Sequence, residues 1–347
     1  MKIGYLCYRL SGNGPRTRAA DIISAVAEET DHEVVVLTNQ PEKVRGPAEV
    51  RPISLSEPLS TLSTAKEAFA DADLVHVPIN TYQVLFVRSV YRGPLVAGVG
   101  PGIQPSYAHR AFGRLLGIDT KIKVHEGDRR WDAFGYETAV CTATIDPDVF
   151  YPYDETRRNE LRSERDLGDA TVVLYVGKLS EEQGAHLVSE MARLTRDDES
   201  IRYIVAGDGP LADRFENRDD LTFEGFVDNK TTPDLYNVAD VTVAPRRFDN
   251  TSNVGLESIA CGTPMVTTAG GSIVDLFEDR GTYVWADERT AESVLEAVRE
   301  LTGDPDYYDA QVQRGLDVFE EMNLTIDSAL ELHCAVYEEV ASESAGA

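Results

Sequence analysis

The sequence is poor in lysine, has no paired cysteines and contains no long apolar run. No stretch approaches the roughly 18 consecutive apolar residues of a membrane-spanning helix, and the opening MKIGYLCYRL is too short and too polar for a secretory signal. The four cysteines lack the spacing of a zinc site or a redox dithiol and lie at Cys7, Cys141, Cys261 and Cys334. We therefore expect a cytoplasmic protein whose cysteines are reduced core residues.

Positive charge is scarce as well. The 33 basic residues are 26 arginines and 7 lysines, against 60 acidic residues, so the formal net charge is −27. Such self-repulsion weakens a compact state unless salt shortens the screening length, from about 10 Å at 0.1 M to about 3 Å at 1 M. The composition resembles that of proteins from halophilic archaea, with an acidic mesophilic protein as the alternative. Nucleic acid is not expected as a partner, because nothing balances this charge against a phosphate backbone.

The order of apolar segments indicates two α/β domains. Residues 2–8 and 33–38 are predicted strands joined by an amphipathic helix, which is the opening of a doubly wound domain. Three further strands are predicted at 74–77, 95–99 and 137–142. A second series of strands begins at Thr171 with TVVLYVG, IRYIVAG and VTVAP. We therefore predict two Rossmann-like domains, each with a doubly wound parallel sheet.

A highly charged segment separates the two series. Residues 154–169 include DETRRNELRSERD and are predicted to form a solvated helix or a linker. We expect a first domain over 1–152 and a second over 153–325. The last predicted helix, 326–341, has one apolar face and is expected to pack back on the first domain.

Residues 241–271 combine two carboxylates with a helix start. A predicted strand at 241–245 is followed by a loop, by a helix that begins among residues 250–253 and by a second strand at 264–269. In such a βαβ unit, Asp249 and the helix N-terminus lie at the carboxyl edge of the sheet, where doubly wound folds bind ligands. The N–H groups there favour an anion such as phosphate. Glu257 points back toward the same helix end. Stabilisation of the helix dipole by these acids is the alternative explanation.

Glycines follow three other predicted strands. Gly12 and Gly14 follow the first strand, but the third glycine of a dinucleotide fingerprint is replaced by Thr17, so NAD binding is disfavoured. In the second domain, Gly177 follows TVVLYV, and Gly207 and Gly209 follow IRYIVA. Because the carboxyl ends of parallel strands share one edge, these loops are expected to approach one ligand.

Together these segments resemble the retaining glycosyltransferases of family 4, which have the GT-B fold of two Rossmann-like domains facing across a cleft. The resemblance rests on YVGKLSEEQG at 175–184, VAGDGP at 205–210, FEGFV at 223–227, the acid pair at 249–257, TAGGS at 268–272 and IDPDVFYP at 145–152. It implies transfer of a sugar from a nucleotide-diphosphate donor to a lipid-linked or glycan acceptor. It also implies front-face transfer with retention, in which the leaving diphosphate helps to deprotonate the acceptor. No metal or other cofactor is implied, because cationic side chains and helix dipoles stabilise the leaving group.

The resemblance also assigns roles to individual residues. Glu257 would hold the ribose hydroxyls and Asp249 the donor sugar, while the 223–227 segment borders the nucleotide base. The predicted catalytic residues are Asp249 and Lys178, and the predicted donor-binding residues are Gly12, Gly14, Gly177, Gln183, Gly207, Gly209, Phe226, Asn250, Asn253, Val254, Glu257, Gly270 and Gly271.

Three features depart from the family pattern. Lys178 stands where the family usually has arginine, and Gln183 where it usually has lysine, so one charge and one bidentate fork are lost. Asp249 replaces a more common glutamate, and residues 96–100 lack a frequent histidine. Two alternatives follow. One is a catalytically degenerate relative that binds a nucleotide or a protein, and the other is a nucleotide-sugar epimerase of similar fold, against which the acid pair speaks.

Residues 107–130 are locally basic in an otherwise acidic chain. They contain six Lys and Arg residues against three Asp and Glu. A short amphipathic helix with Arg110, Phe112, Arg114 and Leu115 is predicted to contact an acceptor or the cytoplasmic face of an anionic membrane. An ordinary helix packed on the sheet, with solvated arginines, is the alternative.

Overall fold

The chain folds into two compact units. The structure is a computed structural model that describes residues 1–10, 14–78, 81–99, 118–123, 137–141, 144–228, 230–247, 253–268 and 281–345. One unit comprises residues 1–144 with 324–347, and the other comprises 145–323. The division falls earlier than the predicted boundary after residue 152. The reason is that the chain just before 152 is held by the second unit: the Phe150 ring packs on Tyr236, and Asn237 Nδ2 donates to the Tyr151 carbonyl at 3.1 Å.

The first domain contains a parallel sheet in the order β3-β2-β1-β4-β5-β6-β7. Its strands are β1 (Lys2–Leu6), β2 (Glu33–Thr38), β3 (Glu49–Pro52), β4 (Leu74–Pro78), β5 (Leu95–Val99), β6 (Thr120–Lys123) and β7 (Glu137–Val140), and its helices are α1 (Gly14–Glu29), α2 (Pro58–Ala68) and α3 (Thr81–Val90). The five predicted strands of this domain are confirmed. The sequence missed β3 and β6 because EVRP and TKIK are short, charged segments without an apolar run.

The second domain contains a six-stranded parallel sheet in the order β10-β9-β8-β11-β12-β13. Its strands are β8 (Thr171–Val176), β9 (Ile201–Ala206), β10 (Thr222–Gly225), β11 (Val241–Ala244), β12 (Met265–Thr267) and β13 (Tyr283–Trp285). Its helices are α4 (Glu155–Glu164), α5 (Ala185–Leu194), α6 (Thr232–Val238), α7 (Asn253–Ala260), α8 (Ala291–Gly303) and α9 (Pro305–Glu321). The two domains therefore have the α/β, doubly wound, parallel-sheet class that the sequence predicts.

Helix α4 is confirmed as a helix with most of its residues exposed, but one face is docked on the second domain, so the segment is not a free linker. Asp154 caps it by accepting from the Arg157 amide at 2.8 Å. Arg162 is buried, and its Nη1 donates to the Val238 carbonyl at 2.8 Å and to Asp240 Oδ2 at 3.2 Å. Charge composition predicted solvent exposure of the whole segment, but the half-buried Asp240 carboxylate and backbone carbonyls satisfy the Arg162 guanidinium instead.

The C-terminal helix α10 (Ile326–Ala345) packs on α1 and β4 of the first domain. Its buried face includes Ala329, Val336, Tyr337 and Val340. Beneath it, Tyr5 Oη donates to Tyr337 Oη at 3.1 Å, and Tyr337 Oη lies 2.7 Å from His76 Nδ1. The His76 ring stacks on His333 with centroids 5.9 Å apart. A polar cluster thus joins the helix to the two central strands of the sheet.

This cluster should make the first domain sensitive to acid. Burial, and then the nearby His333, lowers the pKa of His76 from 6.5 to about 3. Because the folded-state pKa lies below the ordinary value, the neutral ring stabilises the fold above about pH 6.5, and this contribution is lost as the pH falls from 6.5 toward 3. We expect wild type to lose more stability between pH 7 and pH 4 than His76→Gln, measured by urea unfolding. Equal pH dependence of the two proteins would contradict this assignment.

Candidate functional site

Those predicted site residues of the second domain that the structure describes lie at the carboxyl edge of its sheet. Strands β8 and β11 are paired in parallel, and the strand order reverses between them. Gly177 and Lys178 follow β8, Gly207 follows β9, and α7 begins after β11. This edge is the switch point at which doubly wound sheets bind ligands.

Three glycines stack at the ends of β8, β9 and β10. Gly177 N donates to the Ala206 carbonyl at 3.0 Å, and Gly207 N donates to the Gly225 carbonyl at 2.6 Å. Gly177 and Gly207 both have a φ of +145°. A Cβ on Gly207 would lie 1.8 Å from the Gly177 carbonyl oxygen, so the three loop ends are packed backbone against backbone.

Two more glycines are required by the same close packing. A Cβ on Gly209 would lie 2.6 Å from the Leu179 carbonyl oxygen, and one on Gly184 would lie 2.0 Å from the Pro245 carbonyl oxygen. Gly184 has a φ of +82° and forms the N-cap of α5. Loop packing therefore explains why Gly207 and Gly209 are glycines, and their contact with a ligand stays a prediction.

A buried tyrosine, Tyr175, fixes the backbone of the loop after β8. Tyr175 is 2% exposed, and its Oη donates to the Lys178 carbonyl at 2.9 Å and lies 3.4 Å from the Gln183 carbonyl. Burial raises the pKa of Tyr175 well above its ordinary value, so the phenol stays a donor. The Lys178 side chain is exposed and Gln183 is half-buried. The loop backbone is fixed while the Lys178 ammonium remains accessible to an anion.

Arginines flank the loop between β11 and α7. Arg246 is buried, Arg247 is exposed, and the Arg247 amide donates to the Glu182 carbonyl at 2.8 Å. Arg289 Nε donates to the Pro245 carbonyl at 3.0 Å, and its Nη2 donates to the Glu181 carbonyl at 2.5 Å. Burial, and then the charge of Arg247, lowers the pKa of Arg289. Positive charge from Arg247 and Arg289 is therefore present beside the loop that follows β8, where it would attract an anion.

Helix α7 is fixed by its own small residues. Ser258 Oγ donates to the Thr263 carbonyl at 2.7 Å and lies 2.8 Å from Thr242 Oγ1, within hydrogen-bond distance. A Cβ on Gly255 would lie 2.5 Å from Tyr283 Oη, so the helix approaches β13 closely. The helix begins at Asn253 and ends before Gly262, whose φ is +73°. The predicted helix is confirmed, with Asn253 and Val254 in its first turn at the carboxyl edge.

Glu257 lies on α7 beside a buried phenol. Tyr236 Oη donates to Glu257 Oε2 at 2.8 Å, and Tyr236 itself is fully buried. Two oxygens of a carboxylate can accept the two hydroxyls of a vicinal diol, which is the role that the sequence predicts for Glu257.

Phe226 follows β10 and is 81% exposed. Gly225 before it has a φ of +66°, and a Cβ there would meet nothing within 4 Å. An exposed aromatic ring at the carboxyl edge offers a face on which a nucleobase can stack.

Several predicted residues lie outside the part of the chain that the structure describes. They are Gly12, Asp249, Asn250, Gly270, Gly271, Arg110, Phe112, Arg114 and Leu115. Gly14 is described as the first residue of α1 in the first domain. Sequence reasoning missed Tyr175, Tyr236 and Arg289, because their contacts join distant segments and no local spacing marks them.

A cavity of about 660 Å³ opens at the opposite edge of the second sheet. Arg158, Arg162 and Asp240 line it, and both arginines pair with Asp240. These side chains bind one another and the backbone of the second domain, so the candidate site remains at the carboxyl edge.

Within the described ranges, no group of three or more His, Cys, Asp or Glu residues is placed to hold a metal ion. The same ranges contain no helix that is long and apolar enough to cross a membrane. All four cysteines are free, and Cys7, Cys141 and Cys261 are buried.

Comparison with known proteins associates the second domain with one family. Residues 157–317 match the family Glycosyl transferases group 1, which supports that family for this chain. The chain is 30% identical over 160 residues to alpha-D-kanosaminyltransferase of Streptomyces kanamyceticus, covering 44% of this chain and 42% of that protein. It is 30% identical over 225 residues to a GDP-mannose-dependent alpha-(1-6)-phosphatidylinositol dimannoside mannosyltransferase of Mycobacterium tuberculosis, covering 57% of each. The chain thus spans about half the length of these curated relatives.

Solved structures share the fold over nearly the whole chain. Anabaena HepE, in complex with UDP and glucose, has a TM-score of 0.77 at 15% identity and covers 98% of this chain and 100% of its own. WaaG, a glycosyltransferase involved in lipopolysaccharide biosynthesis, has a TM-score of 0.67 at 17% identity and covers 99% of this chain and 100% of its own. At these identities the likeness shows a common two-domain fold of the GT-B type.

Proposed function

We propose, from the premise that residues 157–317 match Glycosyl transferases group 1, that this chain transfers a sugar from a nucleotide-diphosphate donor. The observation that carries the proposal is the placement of Glu257 on the helix that follows β11, the strand that pairs with β8 and its glycine loop. A diol-binding carboxylate, a helix N-terminus and arginines at one sheet edge suit the ribose and diphosphate of such a donor. The names of the relatives and the UDP bound by HepE support this class of ligand.

The mechanism follows from the residues at this edge. Lys178 and the first-turn amides of α7 stabilise the negative charge that develops on the leaving diphosphate. Phe226 borders the base, Glu257 the ribose and Asp249 the donor sugar. We propose transfer with retention, without a metal, to a lipid-linked or glycan acceptor bound by the first domain. The basic segment with Arg110, Phe112, Arg114 and Leu115 would contact that acceptor or an anionic membrane surface.

The direct test is donor hydrolysis, measured as release of nucleoside diphosphate from UDP- and GDP-sugars. The assay is run in molar KCl, because the net charge of −27 favours the halophile interpretation. We expect release by wild type, and a loss of nucleotide affinity of about 10- to 100-fold in Glu257→Ala, because hydrogen bonds to a charged group contribute about 1.5–3 kcal/mol.

A matched control is Glu190→Ala, which removes a half-buried glutamate paired with Arg193 in the second half of α5 in the same domain. It should bind nucleotide as wild type does. Tight binding without turnover would support the catalytically degenerate alternative. Absence of nucleotide binding in wild type would overturn the proposal.

A further inference from the structure

Tyr236 is held in place independently of Glu257. It is fully buried on α6, and its ring packs edge-on against Phe150 with centroids 6.3 Å apart. Its carbonyl accepts from Thr263 Oγ1 at 2.7 Å. The position of the phenol beside α7 is therefore set by these contacts and does not depend on Glu257.

The Tyr236 hydroxyl is a permanent donor. Burial, and then the negative charge of Glu257, raises the pKa of Tyr236 well above its ordinary value. The neutral phenol therefore keeps its proton at physiological pH and donates to Glu257 Oε2 at 2.8 Å. A phenylalanine would fill the same space, so packing alone does not account for the hydroxyl.

The backbone and the carboxylate of Glu257 are fixed by different groups. Ser258, with bonds to β11 and to the turn after α7, fixes the helix backbone. The bond from Tyr236 restrains the orientation of the carboxylate. A vicinal diol can donate to both oxygens of a carboxylate only when the carboxylate is correctly oriented. A glutamate without such a restraint samples several rotamers, and the entropy lost on ordering it weakens ligand binding.

We propose that Tyr236 is a positioning residue that holds the Glu257 carboxylate in the orientation that binds the vicinal ribose hydroxyls of a nucleoside diphosphate. The inference rests on the proposed function, since it assumes a nucleotide at this edge. Beyond the proposed function, the affinity for the ribose would depend on the Tyr236 hydroxyl, which does not itself contact the ligand.

The test compares ribose recognition in three proteins by isothermal titration calorimetry. Wild type, Tyr236→Phe and Tyr308→Phe are each titrated with UDP and GDP and with their 2′,3′-dideoxy counterparts, in molar KCl. Tyr308→Phe is the matched control, because its hydroxyl also donates a hydrogen bond, to the Asp240 carbonyl at 3.0 Å, but lies at the opposite edge of the sheet. Thermal unfolding of each variant is measured alongside.

We expect Tyr236→Phe to bind the preferred ribonucleotide about tenfold more weakly than wild type while binding its dideoxy counterpart unchanged. Tyr308→Phe should keep the full preference for the ribonucleotide. If Tyr236→Phe weakens both ligands equally, or keeps the wild-type preference, the positioning role is wrong while the proposed function stands. If wild type binds neither UDP nor GDP, the proposed function fails and this inference fails with it.

Discussion

Gly207→Ala is expected to destabilise the second domain by about 3 kcal/mol or more, because backbone strain and overpacking each contribute about 1–3 kcal/mol. Gly207 has a φ of +145°, and its added Cβ would lie 1.8 Å from the Gly177 carbonyl oxygen. Neither backbone can yield easily, since Gly177 N and Gly207 N are both bonded across the strand ends. The loop after β8 should move, and nucleotide affinity should fall together with stability.

The matched control for this substitution is Gly168→Ala. Gly168 also has a positive φ, of +54°, but an added Cβ there would meet nothing within 4 Å. Its cost should be about 1–2 kcal/mol from the left-handed backbone alone, with nucleotide affinity unchanged. Urea unfolding and nucleotide titration measure both quantities. A Gly207→Ala protein as stable as Gly168→Ala would show that the strand ends are not packed backbone against backbone.

Arg162→Met should be the most destabilising side-chain substitution in α4, at about 2–4 kcal/mol, because it removes the donor of several buried backbone carbonyls, while Arg158 still pairs with Asp240. The Arg162 side chain is 9% exposed and that of Asp240 is 22% exposed. Arg162 also donates to the carbonyls of Gly168, Ala170 and Val238. Methionine fills the space but leaves these acceptors unsatisfied.

Arg196→Met is the corresponding surface substitution. Arg196 Nη2 lies 2.7 Å from Asp219 Oδ2, but the two side chains are 58% and 77% exposed. Solvent screens this pair, so its loss should leave the free energy of unfolding almost unchanged. The difference between the two variants in urea midpoint measures the effect of burial. Equal urea midpoints for the two variants would indicate that Arg162 contributes no more to stability than a solvated arginine does.

The local parts of the candidate site were predictable from the sequence. Glycines at Gly177 and Gly207 follow apolar runs that are readable as strands, and the start of α7 follows from its capping residues and periodicity. The sequence did not predict Tyr236 or Arg289, because a tyrosine in a buried helix and an arginine before another helix carry no distinctive spacing. It predicted residues 154–169 as solvated and so missed the burial of Arg162, because charge density alone does not show which side chain meets the Asp240 carboxylate.

The sequence by itself determined the α/β class, the two series of strands, the position of the paired acids and the strong excess of negative charge. Each of these depends on composition or on the period of neighbouring residues, which a single segment already contains. Only the tertiary structure decided that the ends of β8, β9 and β10 stack through their glycines, that Arg289 joins two loops, and that Tyr236 bonds to Glu257. These contacts arise between elements far apart in the chain, because strand order and helix packing bring them together only in the folded domain.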